Sequence, residues 1–314
     1  MGEIDKCVKA FIRVDTVFAQ LFSEGVFQGR LMIDPDKLKE LDTVNQSAVR
    51  LENGQFKYLE RLRDAQKIAK LFDERMAFQV IMGVEEQTGV NYCMPVRCME
   101  LDALAYSYQC KRISEKAKEN KKLNKYAEGI PKGTKIVPTV TLVFYVGSKL
   151  WNGPTSIYDM LDIPEDMKKW AKEFIPDYEM HIIDAKHMTE EEINKFDGDL
   201  KAFLLMIQER FDEDKLKTVV ATHKETWYAI GAIKKDKRYA EYIENISDEE
   251  LAGGVYMDAV LDRIEARGKA EGKAKINQLA LLLAKEGRID EFIRSAEDKD
   301  YQKQLLKEYG LEDE

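Results

Sequence analysis

The run Ile136–Gly147, with Val140, Leu142, Val143, Phe144 and Tyr145 at its centre, is the strongest buried-strand signal in the chain. A strand this apolar needs a covering layer. Residues 9–29 offer one, because Phe11, Val14, Val17, Phe18, Leu21, Phe22 and Val26 fall at helical spacing and predict an amphipathic helix packed on a sheet. Residues 30–56 are polar, with turns expected at Asp34-Pro35-Asp36 and Asn53-Gly54. Two further strands are expected at Tyr58–Ala69 and Met76–Val84. Their partial alternation suits strands with one covered face and one lining a cleft. Met94–Lys118 reads as a helix with Pro95 in its first turn, fraying from Glu119 into the polar stretch 120–133.

Beyond the central run, Trp151-Asn152-Gly153-Pro154 predicts a turn with Trp151 anchoring its loop, 156–161 a short helix, and 178–184 a strand. From Thr189 nearly everything reads helical, starting with a capping box of Thr189 and Glu192. The tail divides near Gly253-Gly254. A short Gly-Lys-Ala echo at 268–274 leads into the apolar helix Ile276–Ala284, closed by Gly287.

Three parts are therefore expected: a core over 9–188, a helical part over 189–252 packing on it, and a helical module over 255–314. No run approaches the ~18 uncharged apolar residues of a membrane helix. Met1–Lys6 lacks a signal-peptide profile, and Lys6 spoils Gly2 as a lipidation site. Cys7, Cys93, Cys98 and Cys110 show no paired spacing, and with only three histidines a zinc site is not expected. These features place the chain in the cytoplasm with reduced thiols. Its formal net charge of −9 argues mildly against a nucleic-acid partner. Locally the sign reverses: residues 111–135 hold nine Lys/Arg against three Glu, a net +6. Such a cluster is either a solvated helix and loop or a rim that tracks phosphates.

The chemistry-bearing residues lie between the early strands and the head of the 94–118 helix. Asp64 ends one strand, Glu85 and Gln87 sit two apart on the next, and Arg97 opens the helix. Residues i and i+2 of a strand share a face, so Glu85 and Gln87 point together and Glu86 points away, its backbone carbonyl remaining a candidate oxygen ligand. Two carboxylates can hold a hard divalent cation, which polarises a phosphate and acidifies a bound water. Arg97 could grip the phosphate from the other side. Taken alone, the plain reading of two solvated strand-end acids outweighs this one. Asp15 in the first helix is either a helix cap or an additional ligand. Tyr106 and Tyr108 are either base-stacking or core residues. His181 and His187 have no evident catalytic partner.

The ordered set of motifs is more specific than its pieces. Arg63-Asp64, Val84-Glu85-Glu86-Gln87, Met94-Pro95-Val96-Arg97 and Asp102-Ala103-Leu104-Ala105-Tyr106 are followed by the 138–147 strand, Trp151-Asn152-Gly153-Pro154 and Phe174-Ile175-Pro176-Asp177-Tyr178. Over roughly residues 13–310 the chain resembles the Rpn-type recombination-promoting nucleases, also called putative transposases, of the PD-(D/E)xK superfamily. That resemblance implies an α/β fold with a restriction-endonuclease-like core, a mixed sheet flanked by helices, and a helical C-terminal extension. It implies a metal-dependent DNA endonuclease with Asp64 and Glu85 as ligands of Mg2+, with Mn2+ as a substitute. Gln87 would hold the third motif position and position the water. Arg97 would contact the phosphate, and Lys111, Arg112 and Lys116 would bind DNA.

The chain departs from the superfamily pattern twice. Arg63 stands where the superfamily has proline, and Gln87 where it has lysine, although glutamine looks normal for this family. Glutamine neither takes a proton nor supplies positive charge, so water activation would fall to the metal, a basic neighbour or the substrate phosphate. A homodimer would suit cutting of both strands, though no residue points to one. Two rival readings remain open. One is a DNA-binding or regulatory protein that keeps the fold with little catalysis. The other is a defence-type interaction protein working through its helical tail.

Overall fold

The computed structural model describes residues 2–41, 44–50, 56–73, 76–119, 129–208 and 216–311, with backbone alone at 44–50, 56–62, 71–73 and 76–78. They form two compact units, Met1–Val255 and Tyr256–Glu314. In the first, strands β1 (Lys39–Glu40), β4 (Ala65–Asp73), β5 (Met76–Gln87), β6 (Thr139–Tyr145) and β7 (His181–Asp184) make one sheet in the order β1-β4-β5-β6-β7. β1, β4 and β5 pair antiparallel, whereas β5, β6 and β7 run parallel. β2 (Val44–Arg50) and β3 (Phe56–Leu62) form a separate antiparallel ribbon. The chain is thus mixed α/β, a five-stranded mixed sheet flanked by helices, consistent with the expected restriction-endonuclease-like core.

Alternation on the central strands sorts the two layers. Leu142 and Phe144 of β6 face helices α1 (Glu3–Arg13), α2 (Asp15–Gln20) and α6 (Gly198–Gln208). Phe203 of α6 packs on Phe11 of α1 at 4.4 Å between ring centroids and on Phe144 at 5.9 Å. Val143 faces the other way, into a cluster with Met94 and Cys98 of α3 (Met94–Glu119), Met180 and Trp151. β6 is buried on both faces from Leu142 onward, which is why its apolar run is continuous. Short helices α4 (Lys168–Ala171) and α5 (Glu190–Ile193) follow, and α5 opens with the expected Thr189–Glu192 capping box. α7 (Lys224–Lys234) then packs against α1.

Several boundaries differ from the sequence expectation, each for a local reason. The predicted 9–29 helix starts at Glu3 and breaks at Val14, whose ψ of 126° is extended. The break is held open from β4: Lys67 Nζ donates to the Arg13 carbonyl at 2.5 Å, pairs with the Asp15 carboxylate and lies over the Phe18 ring. After α2 the chain continues as a π-helical segment, Leu21–Val26. The single strand expected over 58–69 is two strands, divided at Arg63-Asp64. In the second unit one helix, Met257–Lys285, runs through the Gly-Lys-Ala echo, and Gly287 closes it at φ +75°. Leu279 and Leu283 pack there with Leu305. All four cysteines are free. Among the described residues no helix is long and apolar enough to cross a membrane. The expected turn at Asn53-Gly54 and residues 120–128 of the basic segment lie outside the described residues.

Candidate active site

The β4–β5 register builds the site. Ala65 pairs with Val84 and Gln66 with Gly83, so one step past the ladder's end Asp64 stands across from Glu85. Their side chains reach different faces. Glu85 turns to the α3 side, where its Oε2 accepts from Arg97 Nε at 2.9 Å and Nη2 at 2.7 Å. Its Oε1 is buried with no hydrogen-bond partner among the described residues. Burial, aided by the Asp64 charge, pushes the Glu85 carboxyl up to about 7 despite Arg97.

Asp64 turns to the α1 side. Its Oδ2 accepts from the Glu86 backbone N–H at 2.8 Å, its Oδ1 pairs with Lys9 Nζ at 2.9 Å, and its own carbonyl accepts from Arg13 Nε at 2.8 Å. Lys9 also pairs with Asp5 at 2.8 Å. Burial alone would lower the ammonium's pKa, but Asp5 and Asp64 outweigh it and hold the value above the ordinary one. Nothing in the sequence singled Lys9 out. Only the fold brings it to a carboxylate 55 positions later.

Glu86 points away from Glu85, as strand alternation requires, yet it is not solvated. It is 4% exposed against α1, and burial together with Asp5 and Asp64 raises its carboxyl to about 8. The proton it keeps is donated to Asp5. Gln87 closes β5 on the Glu85 face, opposite Tyr145, with its carbonyl accepting from Val146 N at 2.9 Å.

A buried cation braces this end of the sheet. Arg63 is 2% exposed and gives Nη2 to Asp102 Oδ1 at 2.7 Å. Asp102 also accepts from Thr141 Oγ1 at 2.6 Å and from the Tyr178 hydroxyl at 2.7 Å. Arg63 lies flat across Gly83, where a Cβ would come within 1.9 Å of Nη1. Arg63 therefore anchors the strand break to α3.

α3 carries Arg97 toward the site because Asn91 Oδ1 accepts from Cys93 N at 2.9 Å just ahead of it. Lys111 lies 14 residues further on, about 21 Å along the helix, and Tyr108, Lys111 and Arg112 all fall within about 60° of the Arg97 direction. Tyr108 is exposed, with the Arg112 guanidinium over its ring at 6.0 Å. Tyr106 is instead structural: its hydroxyl accepts from Thr139 N at 3.0 Å. Lys116 is exposed, about 28 Å from Arg97 along the axis.

Other candidates stand apart. Asp15 is held by Lys67, and His187 pairs with Asp184 at 2.7 Å. Trp151 anchors its loop through Nε1 to the Gly153 carbonyl at 3.0 Å. Among the described residues no three His, Cys, Asp or Glu side chains gather closely enough to hold a metal ion. The site is thus a two-carboxylate arrangement with a cation on either face.

No curated protein and no solved structure matches the chain. A family model described as "Putative transposase, YhgA-like" matches residues 112–237. The match starts after Asp64, Glu85, Gln87 and Arg97, so those four rest on their own geometry. It takes in α3 from Arg112, β6, β7, α6 and α7, but not α1, β4, β5 or the head of α3, on which that geometry is built. Over residues 112–237, less than half of its length, the chain is similar to the YhgA-like putative transposase family.

Proposed function

We propose that this protein is a metal-dependent DNA endonuclease, of the recombination-promoting type, that hydrolyses phosphodiester bonds. One observation carries the reading. The β4–β5 register sets Asp64 across from Glu85 beside the head of the Arg97 helix, and Glu85 Oε1 is buried there with no hydrogen-bond partner among the described residues. A buried carboxylate oxygen without a donor is costly unless a cation or proton meets it. Mg2+ suits such a donor set, since it takes one or two carboxylates and keeps several waters. Asp64, Glu85 and the Glu86 carbonyl would hold it, and Mn2+ would substitute. When bound, the ion would polarise the phosphate and lower the pKa of a coordinated water.

The protein's own groups do the rest. Gln87, on the Glu85 face, orients the attacking water through its amide without taking its proton. Arg97 passes its guanidinium from Glu85 to the phosphate once the carboxylate is otherwise neutralised. Tyr108, Lys111 and Arg112 continue the same face of α3 and would track the backbone roughly six phosphates away, at 3.4 Å per nucleotide.

The rival is a DNA-binding protein that keeps the fold without cutting. Both Asp64 oxygens are engaged, by Lys9 and the Glu86 amide, and this favours it. Supercoiled plasmid separates the two readings. Nicking or linearisation that needs both Mg2+ and Asp64, and is abolished by EDTA and by Asp64→Ala, is the expected result. Equal behaviour of wild type and Asp64→Ala across Mg2+, Mn2+ and several DNA forms would leave the binding protein in its place.

A further inference from the structure

Hydrolysis of a phosphodiester builds negative charge on the phosphoryl oxygens, and Gln87 brings no charge to meet it. The cations around the strand ends differ in what they can do. Arg63 is buried beneath Asp102, and Lys67 is 2% exposed in the grip of Asp15 and the Arg13 carbonyl. Arg97 gives both Nε and Nη2 to Glu85. Arg13 reaches Asp64 only at its backbone carbonyl.

Lys9 differs from all of these. Its ammonium contacts the Asp64 carboxylate itself, at 2.9 Å, while its side chain keeps 21% of its surface exposed. A second carboxylate, Asp5, one turn back on α1, holds it at 2.8 Å. The ammonium is therefore aimed at the reacting end of the sheet, on a side chain that is only partly buried. We propose that Lys9 is a second phosphate-contacting cation of the site beside Arg97, supplying from α1 the positive charge that Gln87 cannot supply from β5.

This assignment rests on the nuclease reading. In the step it serves, a water oxygen bonds to phosphorus as the bond from phosphorus to the leaving ester oxygen breaks. The water gives up one proton to solvent, and the leaving alkoxide takes one from solvent. Lys9 keeps its protons throughout and acts on the phosphoryl oxygens by charge and hydrogen bonding. It leads from α1 because α1 crosses the end of the sheet where Asp64 and Glu86 emerge.

The test compares wild type, Lys9→Met and Lys9→Arg in single-turnover plasmid cleavage, with Mn2+ binding by calorimetry and melting temperature measured on each. Lys9→Met is expected to slow cleavage about 100-fold, the scale of losing one transition-state donor, with Mn2+ binding as tight as wild type or tighter. Tighter binding would follow because the metal no longer competes with the ammonium for Asp64. Lys9→Arg is expected to recover part of the rate.

Two results would overturn the proposal alone, in a wild type that cuts. One is Lys9→Met cutting within about threefold of wild type. The other is its losing Mn2+ binding and thermal stability together with cleavage, which would make Lys9 a structural brace. A wild type that binds Mn2+ but cuts nothing would instead remove the nuclease reading, and this assignment with it.

Discussion

Glu86 and Glu85 are neighbours in sequence and opposites in setting. Strand alternation sends Glu85 toward Arg97 and Glu86 toward Asp5, so one acid meets a cation and the other meets an acid. That much of the site was legible from the period-two pattern of a strand. The burial of Glu86 was not, because the N-terminal residues that cover it lie in a helix whose start the apolar spacing missed.

The Glu86 setting has a pH consequence. Its carboxyl titrates at about 8 in the folded chain against an ordinary 4.5, so the folded state holds this proton more tightly than the unfolded one. The stability it contributes is complete below the unfolded value and is lost as pH rises through the folded one. Glu86→Gln keeps an N–H donor for Asp5 and removes the titration. Between pH 5 and 8 the melting temperature of wild type should therefore fall further than that of Glu86→Gln. Melting curves that stay parallel across that range would show that Glu86 does not carry the proton.

At the level of elements, the helix Met94–Glu119 and the cap at Thr189 lay open in the sequence because their signals are local: a proline in a first turn and a capping box. Two breaks did not. The helix stops at Val14 because Lys67, more than fifty residues away, takes the Arg13 carbonyl, and the strand stops at Arg63 because that side chain crosses to Asp102. Such breaks are made by tertiary partners, and no window of neighbouring residues contains them.

The second break depends on Gly83. An alanine Cβ there would lie 1.9 Å from Arg63 Nη1 and 2.8 Å from Cδ and Cζ. Arg63 has no room to retreat, so Gly83→Ala should break its pair with Asp102 and cost about 3–5 kcal/mol in urea unfolding. The cost should largely vanish in an Arg63→Met background, since the two substitutions strike one contact. Full additivity would mean that the glycine serves some other purpose.

Over the whole molecule the net charge of −9 repels DNA, so the proposed binding would have to rest on a local field. α3 provides one, with Arg97 at the carboxylates and Lys111 and Arg112 further along the same face. The order of motifs was readable because the strands and α3 carry strong periodic signals. The placement of Asp64 across from Glu85 was not, because it depends on the β4–β5 register, in which a slip of one residue would part them.

If, as proposed, folding brings these two carboxylates to one divalent ion, that ion binds the native chain and not the unfolded one. Melting temperature should thus rise with Mn2+ concentration in wild type. We would measure that rise in wild type, Asp64→Asn and Glu85→Gln at pH 8, where metal is not competing with the Glu85 proton at about 7. The expected result is a rise in wild type that is lost in both variants. A wild type indifferent to Mn2+, or a rise that survives both substitutions, would contradict it.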